Sequence, residues 1–136
     1  MKKNFDVPHN SETYFQLIYP KIIETIRLSA SEPEIQIDAF PKEEFPPEEI
    51  GYLVEHALIM ATELEKFGFI SKSQLDSLAV INHHYDALDK SNWSIEGLMK
   101  SKDWEKIRIL SAQSLNSFDV AYAEPNLYWC NITDIY

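Results

Sequence analysis

The apolar residues Ile50, Leu53, Val54, Ala57, Leu58, Ala61, Leu64 and Phe67 recur at steps of three and four. That spacing keeps one face of an α-helix apolar, and it suits no strand, whose faces alternate every second residue. Pro47 or Glu48 opens the helix. Proline fits the first turn, and paired Glu48 and Glu49 suit the positive end of the helix dipole. Gly68 stands where a left-handed C-cap is wanted. This segment predicts a long amphipathic helix, and the rest of the chain must cover its apolar stripe.

The other segments supply that cover. Residues 11–30 read as a first helix, with Tyr14, Leu17, Ile18, Ile22, Ile26 and Leu28 near helical spacing. Pro20 predicts a kink or a division into two shorter helices. Residues 31–47 carry Pro33, Pro41, Pro46 and Pro47 and read as irregular, with an alternating Glu34-Ile35-Gln36-Ile37-Asp38 that suits one short strand. Ser71 to Gln74 matches a capping box and opens a helix bearing Leu75, Leu78, Ile81, Tyr85 and Leu88. Lys90-Ser91-Asn92 ends it. One or two helical turns follow from Ser94 to Met99. Ser101 caps a last helix with Trp104, Ile107, Ser111, Leu115 and Phe118. Residues 121–136, with Tyr122, Tyr128, Trp129 and Tyr136 around Pro125, read as an extended aromatic tail laid on the helices.

The expected fold is therefore all-α: one domain over residues 1–136, built as a bundle of four to five helices. With 136 residues and 45% apolar content the chain can bury a real core. Only 3 glycines leave few tight hairpins.

Several chemistries find no foothold. Gly51, Gly68 and Gly97 are too far apart for a phosphate-cradling loop. His83 and His84 with Asp86 and Asp89 form the best metal candidate, but it lacks the three or four converging ligands a metal needs, and a polar helix face is the simpler reading. Cys130 is the sole cysteine, so no intrachain disulfide forms, and Trp129 beside it predicts a buried thiol rather than a nucleophile. No catalytic group and no cofactor is expected. Met1-Lys2-Lys3 leads into no apolar run, and no segment reaches membrane-spanning length, so a cytosolic protein without a signal peptide is expected.

Charge is the most informative property left. The net charge is −10, which disfavours nucleic acid and anionic membranes as partners. It is unevenly spread. Residues 1–31 carry a net +1 and residues 66–136 a net −2, whereas residues 32–65 hold ten acids against Lys42 alone, a net −9. Repulsion within such a cluster opposes folding, and stability alone would intersperse lysines. The concentrated acids, with an aromatic at their edge, fit a basic protein partner. Asp38, Glu43, Glu44, Glu48, Glu49, Tyr52 and Glu55 form the expected contact set, with charge speeding association and Tyr52 anchoring. The alternative is a small adaptor or regulatory subunit that binds through apolar surface, with Ile59 and Met60 or the aromatic tail as contacts.

A resemblance points the same way. The chain reads Leu75-Asp76-Ser77-Leu78, Tyr85-Asp86-Ala87-Leu88-Asp89-Lys90-Ser91, Trp93-Ser94-Ile95-Glu96-Gly97-Leu98 and Asp103-Trp104-Glu105-Lys106-Ile107-Arg108, then Ala112. Over these 44 residues, about a third of the chain, it is similar to small helical immunity proteins of bacterial polymorphic-toxin and contact-dependent growth inhibition systems. The resemblance gives Trp93 and Trp104 the role of core anchors and Arg108 that of an ion-pair partner on a helix face. It implies a protein that binds and blocks a cognate toxin domain. A nuclease toxin has a basic substrate cleft, which an acidic inhibitor would cover.

Overall fold

The computed structural model describes residues 7–127. They form six α-helices, α1 (Val7–Ala30), α2 (Pro33–Asp38), α3 (Pro46–Lys66), α4 (Lys72–Asp86), α5 (Ile95–Lys100) and α6 (Lys102–Ser117), with a 3-10 turn at Lys90–Asn92 between α4 and α5. There is no strand among the described residues, and the fold is all-α.

The four long helices close a ring: α1 packs on α3 and α6, and α4 packs on the same two. Their inward stripes meet as one core. Ile22, Ile26 and Leu28 come from α1, Ile50, Ala57 and Leu64 from α3, Leu78 and Ile81 from α4, and Trp104, Ile107 and Leu115 from α6. Each is at most 2% exposed, so each buried Leu and Ile contributes about 1.5–3 kcal/mol of transfer free energy before the entropy of ordering is subtracted. The short helices α2 and α5 touch each other and bridge the ends of α1, α3 and α6.

Local chemistry sets the boundaries. Ser71 Oγ accepts from the Gln74 amide at 3.1 Å, and Gln74 Oε1 accepts from the Ser71 amide at 2.8 Å, which completes the expected capping box at α4. At the end of α3, Gly68 adopts φ 84°, and the Phe69 amide reaches back to the Leu64 carbonyl at 2.9 Å. That left-handed residue with its long return bond is a Schellman stop. Asp119, at φ 57°, ends α6 in the same manner, with the Val120 amide on the Leu115 carbonyl at 3.0 Å.

Two local expectations are corrected. Residues 34–38 are helix α2, not a strand. With no neighbouring strand to pair with, the segment satisfies its backbone locally: the Gln36 amide bonds the Glu32 carbonyl, and the Ala39 amide the Ile35 carbonyl, each at 3.0 Å. Pro33 at the first helical position favours that choice. Helix α1 continues through Pro20, so the segment is not divided into two shorter helices. Pro20 and Gln16, whose carbonyl loses its usual donor, are both exposed, so the site of the missing bond lies on the solvent side of the helix.

Past α6 the chain has no regular secondary structure through Leu127 and is tied to α1. Tyr122 Oη and Ser31 Oγ share a hydrogen bond of 2.9 Å, Arg27 donates to the Ala121 carbonyl, and the Asn126 amide donates to Glu24 Oε1 at 2.8 Å. The expected tail aromatics Tyr128, Trp129 and Tyr136, and Cys130, lie outside the described residues.

Candidate functional site

The expected contact residues fall on the α2–α3 loop and the outer face of α3. Successive helical residues rotate by about 100°, so Glu48, Tyr52, Glu55 and Ile59 lie within an arc of about 60°. All four are exposed, Tyr52 at 53% and Ile59 at 58%. Opposite them, Ile50, Val54, Ala57 and Ala61 are buried in the core. The pattern that predicts the helix thus also aims this stripe outward.

The N-terminal end of the stripe gathers carboxylates. Glu49, half-buried in the first turn of α3, has its carboxyl pushed above the ordinary glutamate range. Burial is the main cause, and the charges of Glu44 and Glu48 add to it. The structure therefore brings Glu44 and Glu48 within electrostatic reach of Glu49. Asp38, at the last turn of α2, and Glu43, in the loop, are exposed and are not among the charges that raise Glu49. Lys42 is exposed in the same loop and forms no ion pair with any of these acids among the described residues. The ion pairs between described residues, Arg27 with Glu24 and Lys72 with Asp76, lie elsewhere.

Two features of this face escape a reading of charge alone. His56 packs its ring against Tyr52 with centroids 4.2 Å apart, one helical turn on, which props the tyrosine from the side. Ile59 continues the stripe, so the acidic and the apolar readings of α3 share one surface. Met60 does not belong to it: at 7% exposed it is a core residue, because it follows Ile59 by a rotation of about 100°.

The other candidates have structural roles. Asp89 caps the 3-10 turn, accepting from the Ser91 amide at 3.1 Å and hydroxyl at 2.6 Å, and these bonds hold its carboxyl below the usual range. Asp86 accepts from Asn82, and the His83 and His84 rings stand nearly perpendicular, 5.9 Å apart. No group of three or more metal-ligating side chains converges among the described residues. Arg108 is not the ion-pair partner expected of it. Its guanidinium donates to Gln36 Oε1 at 3.2 Å and to the Leu98 carbonyl, tying α6 to α2 and α5. It floors a groove of about 500 Å³ with Met99 and Ile109 on its walls, where Glu32 and Glu105 balance Arg108 and Lys100. Trp93 and Trp104 do serve as anchors: their rings meet edge-on at 6.1 Å, and Trp104 Nε1 donates to the Asn92 carbonyl at 2.8 Å.

No described helix is long and apolar enough to cross a membrane. Comparison with protein-family models, with curated proteins and with solved structures gives no match.

Proposed function

We propose that this chain is a cytosolic, non-catalytic immunity protein that binds a basic toxin domain, a nuclease by preference, and covers its active site with the α2–α3 loop and the outer face of α3. The observation that carries the reading is a set of exposed carboxylates that form no ion pair with Lys42, the one lysine or arginine among residues 32–65. Asp38, Glu43, Glu44, Glu48 and Glu55 face solvent, and Lys42 leaves them unpaired. Glu49 is held above the ordinary glutamate range by burial first and by the charges of Glu44 and Glu48 next, and a basic partner would relieve the second of these. Charge of one sign on one face speeds encounter with a partner of the opposite sign. The resemblance of residues 75–118 to immunity proteins supplies the biological setting.

A second reading, an adaptor that docks through apolar surface, draws on the exposure of Ile59. The two differ in salt dependence, since apolar docking is indifferent to screening.

The test begins with the reading frame beside the gene for this chain. The proposal expects it to end a large secreted protein in a short basic domain. That domain, produced alone, should arrest growth in the cytosol, and co-expression of this chain should restore it. The fourfold variant Glu43→Lys, Glu44→Lys, Glu48→Lys and Glu49→Lys should fail to restore growth while remaining folded. A neighbour without such a domain, or full protection by the fourfold variant, overturns the proposal.

A further inference from the structure

Glu48, Tyr52, Glu55 and Ile59 form a helical stripe in which acidic and apolar side chains alternate along the axis, with the two carboxylates on one edge and Tyr52 and Ile59 beside them. Resting on the immunity reading above, we propose that the partner takes α3 as a helix laid into a groove, with Tyr52 and Ile59 as the two anchors and the carboxylates as a steering rim. The occupant of this face is a protein groove with an apolar floor and Lys or Arg along the edge that faces Glu48 and Glu55.

Charge complementarity and spacing carry the inference. Tyr52 and Ile59 are seven residues apart, about 10 Å along the helix axis, on one side of the helix. Anchors spaced by three, four and seven residues are how a helix is read by a groove. Both side chains are more than half exposed, large and apolar, with Glu48 and Glu55 beside them in the same arc. An anchor at the centre and charge at the edge is the usual division of labour at a protein interface. His56 against the Tyr52 ring narrows the freedom of that side chain before binding, which reduces the entropy lost on docking. The stripe also has an end. Thr62 turns its hydroxyl back to the Leu58 carbonyl at 2.8 Å, and exposed Lys66 follows on the same side.

Anchors and rim make separable kinetic predictions. Anchors govern dissociation, whereas exposed rim charges govern association. The experiment measures both rates for the full chain with the basic domain encoded beside it. Tyr52→Ala and Ile59→Ala should each raise the dissociation rate about 30-fold, with association within about twofold of the parent. Glu48→Gln with Glu55→Gln should slow association and leave dissociation nearly unchanged. Both anchors are exposed, and alanine favours the helix, so circular dichroism should show the variants folded. Val80→Ala on α4 and Ile109→Ala on α6 truncate equally exposed apolar residues elsewhere and should change neither rate. If the parent binds but Tyr52→Ala and Ile59→Ala dissociate like the parent, the anchor proposal fails and the immunity reading survives. If the parent does not bind the basic domain, both fail.

Discussion

Tyr85 Oη and Ser29 Oγ share a hydrogen bond of 3.1 Å at the centre of the bundle, where Tyr85 is 1% exposed. Ser29 Oγ also meets Ser111 Oγ at 2.6 Å, and Ser111 donates to the Ile107 carbonyl at 2.8 Å. Three helices, α4, α1 and α6, are thereby fixed by hydroxyls in a dry place. Burial pushes the Tyr85 phenol far above its ordinary range, so it stays neutral at any physiological pH. Ser29→Ala should destabilise the fold by about 1–3 kcal/mol, since it leaves the tyrosine hydroxyl buried without a partner. Tyr85→Phe removes that hydroxyl and should cost about 1 kcal/mol. The double variant should cost less than the sum, as urea unfolding of all four proteins would read. A strictly additive result would mean that the two groups do not interact.

Gly97 and Gly51 are both places where another chain element comes too close for a side chain. A Cβ on Gly97 would lie 2.5 Å from the Asn92 carbonyl oxygen and 2.7 Å from its Cα, and backbone cannot yield cheaply. A Cβ on Gly51 would meet the Trp93 ring edge at 2.8 Å. Gly97→Ala should lose about 1–3 kcal/mol or more, the usual range for overpacking. Gly51→Ala should lose less, because helix propensity returns about 1 kcal/mol and the ring edge is half-exposed. Its near-ultraviolet dichroism should change as Trp93 shifts. Equal stability of Gly97→Ala and the parent would contradict the close approach.

Long amphipathic segments were legible because burial and backbone geometry share one period there. The 50–67 stripe, the Ser71 capping box and the Gly68 stop all appear where their chemistry places them. Residues 34–38 misled because five residues of alternation also fit a short helix. The choice was made by the absence of a pairing strand, a tertiary fact. The resemblance to immunity proteins implied an ion-pair role for Arg108, whereas packing brings it the Gln36 amide and the Leu98 carbonyl. At the candidate site the exposure of Tyr52 and Glu55 followed from the register of α3. The influence of the Glu44 charge on Glu49 depends on how the loop after Pro41 turns, where the Glu44 amide bonds the Pro41 carbonyl at 3.0 Å, and no periodicity reports that.

Glu49 gives the fold a pH dependence of known sign. Its carboxyl is raised in the folded state by burial first and by Glu44 and Glu48 next, so folding favours the protonated form. The penalty for ionised Glu49 is full above its folded pKa, fades as pH falls through that value, and is gone below the unfolded value near 4.5. Glu49→Gln should therefore melt higher than the parent at neutral pH, and the gap should close on acidification. A gap that widens toward low pH would show that Glu49 is stabilised as a carboxylate.

The acidic surface should also tolerate charge removal without harm to the fold. Glu43→Gln and Glu48→Gln alter exposed carboxylates that lie outside the ion pairs described, and their stability should stay within about 0.5 kcal/mol of the parent. Equilibrium unfolding in urea reads this directly. A loss beyond about 1 kcal/mol would assign these acids a structural role and weaken the case that they are kept for a partner.

The central claim is that one acidic face recruits a basic protein. The measurement that addresses it is the association rate of this chain with the basic domain encoded beside it, followed from low to high salt. Electrostatic steering predicts a rate that falls at least about tenfold as salt screens the face. The fourfold variant Glu43→Lys, Glu44→Lys, Glu48→Lys and Glu49→Lys should associate slowly at low salt, with little salt dependence left. An association rate that ignores salt and is the same for both proteins would contradict the account.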